Sequence, residues 1–258
     1  MKKVILPLIV LAFLAACSSQ KNKEQAARQQ YEISNFEANH VNLDSNLTIE
    51  DEEIAALIQP YKDSLDAQMN QVLAHSETEM WKGSPESSLG NFCADVTLEM
   101  CRKYYTDGEI DFALQNKGGI RLPTIPAGPI TKGKIYEMLP FDNFLVVLTL
   151  DSSGVVAMLD TMSAKGGWPV AGITLTIDNG KATNILVNEA PLTNRDYKVA
   201  TNDYLANGGD NMECLKGKPQ ENLGIFIRDA FIDYLSVLDA EGKKVSARKD
   251  GRIRLAGE

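Results

Sequence analysis

The sequence predicts an α+β fold, a mixed sheet with flanking helices, and three observations carry that prediction. Short apolar runs of strand length recur at residues 110–114, 144–150, 173–177, 182–187 and 197–201. Segments with helical spacing lie between and around them, at residues 49–75, 85–104, 153–164 and 222–238. An Asn-Gly pair at Asn179 and Gly180, set between two of the runs, marks a tight hairpin. Interleaved strands and helices alone would suit a parallel sheet, but the hairpin requires antiparallel neighbours, so the expected sheet is mixed.

The elements follow in order. Ile54, Leu57, Ile58, Tyr61, Leu65, Met69 and Val72 recur at three- and four-residue steps and predict a helix over residues 49–75. Thr48 is its candidate cap, with Asp51 three residues on, and Pro60 is expected to kink or split it. Its apolar stripe suits either packing on its own domain or docking of a partner. Pro85 opens a second helix to Tyr104, with Leu89, Phe92, Cys93, Val96, Met100 and Cys101 on one side. The run at 110–114 is a buried strand leading to Gly118 and Gly119. Thr131 caps a short helix to Met138. A strand at 144–150, a helix at 153–164 and the hairpin strands 173–177 and 182–187 come next. The strand 197–201 runs into a turn at Gly208 and Gly209. An amphipathic helix at 222–238 and a short strand at 252–255 close the chain. Trp168, after two glycines, suits core packing or a lid equally.

The first residues read as a signal sequence: two lysines, an apolar run too short to span a bilayer, then LAAC at residues 14–17. That string resembles a lipobox, with Cys17 as the lipidated residue and 1–16 as the removed peptide. Ser18 follows instead of the Asp that favours inner-membrane retention, so the outer membrane is the expected destination. Residues 17–48 are polar and without apolar period, a tether. Residues 49–76 read as a linking helix and 77–258 as the folded domain. The net charge of −9 argues against nucleic-acid binding, which needs a basic face. Besides Cys17 there are Cys93, Cys101 and Cys214. Cys93 and Cys101 sit about 12 Å apart along one helix and cannot pair with each other. A bridge from either to Cys214 and a set of buried free thiols both remain open.

Four blocks carry the chemistry: ESSLGNFCAD at 86–95, NKGGIR at 116–121, GPIT at 128–131 through LPFDN at 139–143, and VATNDYLANGGD at 199–210. In this order, with GRI at 251–253, they resemble the C-terminal domain of bacterial 5′-nucleotidases over nearly the whole domain. The resemblance implies a site that holds a nucleotide by its base and ribose. A base needs flat apolar surface, which Phe141 and Tyr204 supply as two loop aromatics. Arg121, after two glycines, offers a planar fork to a phosphate. By resemblance, Asn143 meets the base and Asp210 accepts ribose hydroxyls. Asn116 and Gly119 join the substrate-binding set, although Asn116 and Asn91 are expected chiefly to brace loops.

Two departures from that family bear on function. Its complete members carry a dimetal phosphatase domain with several His and Asp ligands. This chain has only His40 and His75, so no catalytic or metal residue is assigned in it and no cofactor is expected in it. The family's arginines before the LGN block are absent; Lys82 is a single point charge there, beside Glu77 and Glu79, so phosphate recognition is expected to be weakened or altered, in favour of nucleosides or a different nucleotide ester. Hydrolysis of 5′-nucleotides is therefore expected only with a separate metallophosphatase chain that supplies the divalent metal. The alternatives are a stand-alone nucleotide- or nucleoside-binding lipoprotein without hydrolysis, and an interaction protein with a vestigial pocket. The membrane is reached only through the lipid anchor, and no nucleic acid is a partner.

Overall fold

The structure, a computed structural model, describes residues 51–257. The expectations for Cys17, the signal peptide, the tether, His40 and Thr48 lie outside the described residues. The chain runs α1 (Glu52–Met69), β1 (Val72–Ser76), β2 (Met80–Trp81), α2 (Ser88–Tyr104), β3 (Phe112–Leu114), a 3-10 turn (Lys117–Gly119), β4 (Thr124–Ile125), β5 (Gly128–Thr131), α3 (Lys132–Met138) and β6 (Phe144–Leu150). It continues α4 (Ser152–Ala164), β7 (Val170–Ala171), β8 (Ile173–Asp178), β9 (Lys181–Val187), β10 (Ala190–Pro191), β11 (Tyr197–Asn202), α5 (Asp203–Ala206) and a 3-10 turn (Gly209–Asn211). A further 3-10 turn (Glu213–Leu215), β12 (Gln220–Phe226), α6 (Ile227–Ala240) and β13 (Ile253–Leu255) complete it.

The fold is α+β with mixed sheets. A five-stranded sheet in the order β12-β6-β11-β3-β7 is antiparallel except where β11 lies parallel to β3. A four-stranded sheet, β10-β9-β8-β13, is antiparallel except at β8 and β13. Strand period two splits the five-stranded sheet between two cores. Leu145, Val147, Ala113 and Ala200 face a core built with α2 and α6. Val146, Leu148, Leu150 and Phe112 face a second core, built with α4 and the four-stranded sheet. Trp168 is buried in that second core, where it serves packing.

Side-chain acceptors set several helix starts, Thr131 among them as expected. It caps α3 by accepting from Lys134 N. Ser87 caps α2 by accepting from Gly90 N, and Asp151 caps α4 by accepting from Gly154 N. Asn179 and Gly180 both have positive φ, 49° and 76°, as a two-residue hairpin turn requires.

Three helices are shorter than the sequence reading has them: the one expected to open at Pro85 starts at Ser88, after its cap Ser87, and two others give up a stretch to a strand. The first ends at Met69, and His75 lies exposed in β1, because residues 72–76 pair antiparallel with β5. Pro60 sits inside one unbroken α1 and does not split it. The last helix begins at Ile227, not 222, because residues 220–226 form the edge strand β12 on β6. In both places apolar spacing that fits a helix also fits a strand, and a sheet edge decides. Helix α1 contains no buried residue: Leu57, Ile58, Tyr61 and Leu65 are 53–76 % exposed. No helix among the described residues is long and apolar enough to cross a membrane.

Cys93, Cys101 and Cys214 are free thiols. Burial pushes the pKa of Cys101 up to about 12 and that of Cys93 higher still, so neither is a ready nucleophile. At the C-terminal end Arg252 ties three elements together. Its guanidinium donates to both oxygens of Asp95 on α2, to both of Asp250, and to Val170 O on β7. Nearby, Asn91 donates to Glu86 Oε1 and to Arg248 O, the loop brace expected of it.

Candidate functional site

Three motif stretches meet at one end of the central strands of the five-stranded sheet, for a topological reason. Parallel strands β3 and β11 both end there, delivering residues 116–121 and 203–211. Antiparallel β6 starts there, so residues 139–143 reach the same end from the other direction. Between them lies a cavity of about 290 Å³, lined by Asn116, Gly118, Gly119, Arg121, Phe141, Asn143, Tyr204 and Asp210. All seven residues selected from the sequence line it, and Gly118 is added.

The walls are held by a chain of hydrogen bonds. Asn202, buried at the end of β11, accepts from Leu205 N at 2.8 Å and so caps α5. It donates to Asn116 Oδ1 at 3.0 Å, and Asn116 Nδ2 donates to Asp210 Oδ2 at 3.0 Å. Tyr204 donates its hydroxyl to Asp210 Oδ1 at 3.1 Å and accepts from Asp210 N at 3.1 Å. Each Asp210 oxygen keeps acceptor capacity for a further donor. Asn116 thus braces the loop, as expected, while remaining part of the wall.

The glycines are used sterically. A Cβ at Gly209 would stand 2.5 Å from Tyr204 O and 2.6 Å from its ring, so only glycine lets the ring lie against the turn. A Cβ at Gly119 would meet Asn116 Oδ1 at 2.9 Å.

Phe141 is 49 % and Tyr204 44 % exposed, unlike the core aromatics. The Arg121 guanidinium lies 5.9 Å from the Phe141 ring centre and donates to Gly118 O at 3.3 Å. The Asn143 backbone accepts from Ile227 N, while its side-chain amide has no hydrogen-bond partner among the described residues. The Phe141 loop is anchored by Arg228 of α6, which pairs with Asp142 at 2.6 Å and donates to Leu139 O and Pro140 O. Arg228 also lies 4.4 Å from the Tyr136 ring.

Sequence reading missed Arg228 and Asn202. The polar residue opening a strand-to-helix turn was a usable signal for Asn202. Nothing in the helix pattern marks Arg228.

A more open hollow of about 440 Å³ lies around Arg252, Asp95 and Glu189, but Arg252 has no free N–H to offer it. Among the described residues no group of three or more His, Cys, Asp or Glu is placed to hold a metal ion. The donor set needed for a dimetal centre does not fit these residues.

An α+β frame whose strand ends present two exposed rings, an amide, a carboxylate and a guanidinium around one cavity has the concave, mixed apolar and polar lining that suits a small ligand. Comparison with known proteins names the family. The profile of the 5′-nucleotidase C-terminal domain matches residues 69–217, more than half of the chain, and the chain belongs to that family. It is 32 % identical to the 5′-nucleotidase precursor of Thermus thermophilus, with a TM-score of 0.68 over 80 % of this chain and 43 % of that one. It is 28 % identical over 230 residues to the trifunctional nucleotide phosphoesterase protein YfkN of Bacillus subtilis, covering 80 % of this chain and 15 % of the relative. It is 26 % identical over 196 residues to the 5′-nucleotidase of Vibrio vulnificus, covering 71 % of this chain and 33 % of the relative. The chain therefore spans less than half the length of each.

Proposed function

We propose that this chain is the nucleotide-recognition half of a 5′-nucleotidase whose dimetal hydrolytic half is a separate chain. The observation that carries the reading is the presence of two half-exposed rings, Phe141 and Tyr204, in the lining of one cavity together with Asn143, Asp210 and Arg121. In this reading the rings sandwich the base, which stacking stabilises by about 1–3 kcal/mol. The unpartnered amide of Asn143 bonds the base edge. Asp210, held by Asn116 and Tyr204, accepts the ribose hydroxyls, and Arg121 turns toward the phosphate. Holding the nucleoside fixes the phosphate ester for attack by the partner, the positional part of catalysis.

The exposed stripe of α1 is the surface assigned to that partner. Its flanks, Glu52, Glu53, Asp63 and Asp66, are acidic with Lys62 alone against them. Antiparallel pairing with a second copy would set acid against acid, so the fitting partner has an apolar groove with a basic rim. Attachment through Cys17 to the outer membrane belongs to the same reading: it keeps both halves in the cell envelope.

The test is phosphate release from AMP and UMP with Mn²⁺, by the purified chain alone and with a metallophosphatase chain from the same organism. Activity only with both is the expected result. Metal-dependent release by this chain alone, lost in Phe141→Ala, would overturn it. A stand-alone binding lipoprotein is the reading left if nucleosides bind and no phosphatase chain copurifies.

A further inference from the structure

The cavity adjoins a second, smaller recess of about 10 Å³, room for one water molecule. Phe141 and Asn143 line both spaces, and Ile227 at the start of α6 is among the apolar walls of the recess. Its polar walls are four carboxamides: Gln115, Asn116, Asn143 and Asn202.

Proton counting fixes how three of these amides point. Thr97 on α2 gives its hydroxyl proton to Cys93 O at 2.8 Å, so toward Gln115 it can only accept, and Gln115 Nε2 donates to it at 2.7 Å. Asn202 Oδ1 accepts from Leu205 N, so its Nδ2 faces Asn116, which in turn presents its own Nδ2 to Asp210. Asn116 and Asn202 each keep one N–H uncommitted. Gln115 keeps an acceptor: its Oε1 has no donor among the described residues, on a residue only 2 % exposed. That oxygen is not sealed in packed protein. The sealed and unbonded side-chain atoms among the described residues are Ser163 Oγ, Thr201 Oγ1 and Arg228 Nε. Gln115 lines the recess, so its free acceptor opens there.

A buried amide oxygen left without a donor is unfavourable, and ordered water is held where a polar recess fits it and offers two to four partners. Here the partners are Gln115 Oε1 as acceptor, an uncommitted N–H of Asn116 or Asn202 as donor, and the Asn143 amide. Asn143 alone of the four has a side chain that nothing among the described residues orients.

We propose that Gln115 is a positioning residue for base recognition: it holds one ordered water in the recess, and that water orients the Asn143 amide toward the base edge. The inference rests on the reading of the cavity as a nucleoside site. It extends control of the base contact to a residue outside the cavity lining, along a path from Cys93 O through Thr97, Gln115 and the water to Asn143.

The experiment has two arms. A high-resolution crystal structure of the full chain, with and without uridine, is expected to show a water within hydrogen-bond distance of Gln115 Oε1 and of the Asn143 amide. Calorimetric titration then compares wild type with Gln115→Met, which keeps the bulk and removes the acceptor. Uridine is expected to bind roughly three- to tenfold more weakly to the variant, the scale of one net hydrogen bond. The uridine to 2′-deoxyuridine ratio should stay as in wild type, because Asp210 is held by Asn116 and Tyr204. In an Asn143→Ala background Gln115→Met should change uridine affinity by less than about twofold, since its effect passes through Asn143.

An equal loss in both backgrounds would mark Gln115 as a packing residue and overturn the inference. So would a wild-type crystal structure without the water, which decides the question even where the variant fails to fold. Either result with uridine binding intact leaves the nucleoside reading in place. No binding of any nucleoside by the wild-type chain would bring down the reading of the cavity itself, and the role of Asn143 with it.

Discussion

Tyr204 and Asp210 bond each other reciprocally: the phenol donates to the carboxylate at 3.1 Å and accepts from the same residue's backbone N–H at 3.1 Å. Asp210 sits in the left-handed region, with φ 51° and ψ 35°, which a non-glycine residue adopts only when held there. One hydroxyl thus fixes both the aromatic wall and the carboxylate. Tyr204→Phe keeps the ring and removes both bonds. It is expected to lower stability by about 0.5–1.5 kcal/mol. It should also reduce the preference for uridine over 2′-deoxyuridine. Phe141→Ala should instead weaken every nucleoside, by about 1–3 kcal/mol for the lost stack. Titration of both variants with both nucleosides separates the two effects. A Tyr204→Phe chain with wild-type ribose preference would show that Asp210 does not depend on the phenol.

Asn202→Ala removes the cap of α5 and leaves Asn116 Oδ1 without its donor inside a buried network. The expected cost is about 1–3 kcal/mol, read by urea denaturation. Asn202→Asp keeps the cap but turns an acceptor toward Asn116. Rotation of the Asn116 amide would repair that contact and break the one to Asp210. A variant of near-normal stability with weakened ribose recognition is the result expected for Asn202→Asp.

The pH dependence of stability should divide the two carboxylates on Arg252. Hydrogen bonds from Arg252 hold Asp250 below the usual carboxylate range against its partial burial. A depressed folded pKa gives stability that is present above the unfolded value and lost as pH falls through the folded one. Asp95 runs the other way. Burial lifts it above the usual range, with Asp250 adding to the lift and Arg252 opposing it. A raised folded pKa gives stability that is present below the unfolded value and lost as pH rises through the folded one. Asp250→Asn is therefore expected to destabilise the chain at pH 7 by about 1 kcal/mol after solvent screening, and by progressively less toward about pH 3. Asp95→Asn should cost less than Asp250→Asn at pH 7. Urea midpoints for the two variants across this range check the order, and a larger loss for Asp95→Asn at pH 7 would refute it.

Leu57→Asp/Tyr61→Asp tests the surface assigned to the phosphatase chain. Helix α1 buries no residue, so global stability should change by less than about 0.5 kcal/mol. Nucleoside affinity should be unchanged, since neither residue lines the cavity. Reconstituted phosphatase activity should drop at limiting partner concentration and recover as the partner is raised. Full activity at every concentration would remove α1 from the interface.

Local patterns in the sequence were enough for the elements whose neighbours agree with their own preferences. The strand Phe144–Leu150, the cap Thr131 and the Asn179-Gly180 hairpin are read from apolar period, a side-chain acceptor and positive φ, all properties of a few adjacent residues. The motif blocks likewise marked seven of the eight residues that line the cavity, because turn glycines and loop aromatics are visible one stretch at a time. Tertiary structure decided the rest. Residues 72–76 and 220–226 became strands only because β5 and β6 offered them an edge to pair with. Arg228 became the anchor of the Phe141 loop, and Lys82 came to donate to Ile120 O beside Arg121, through contacts made by residues far apart in the chain. Hydrogen-bond pairing and Coulomb fields act through space, and their partners are set by how the sheet orders its strands, which no local run of residues encodes.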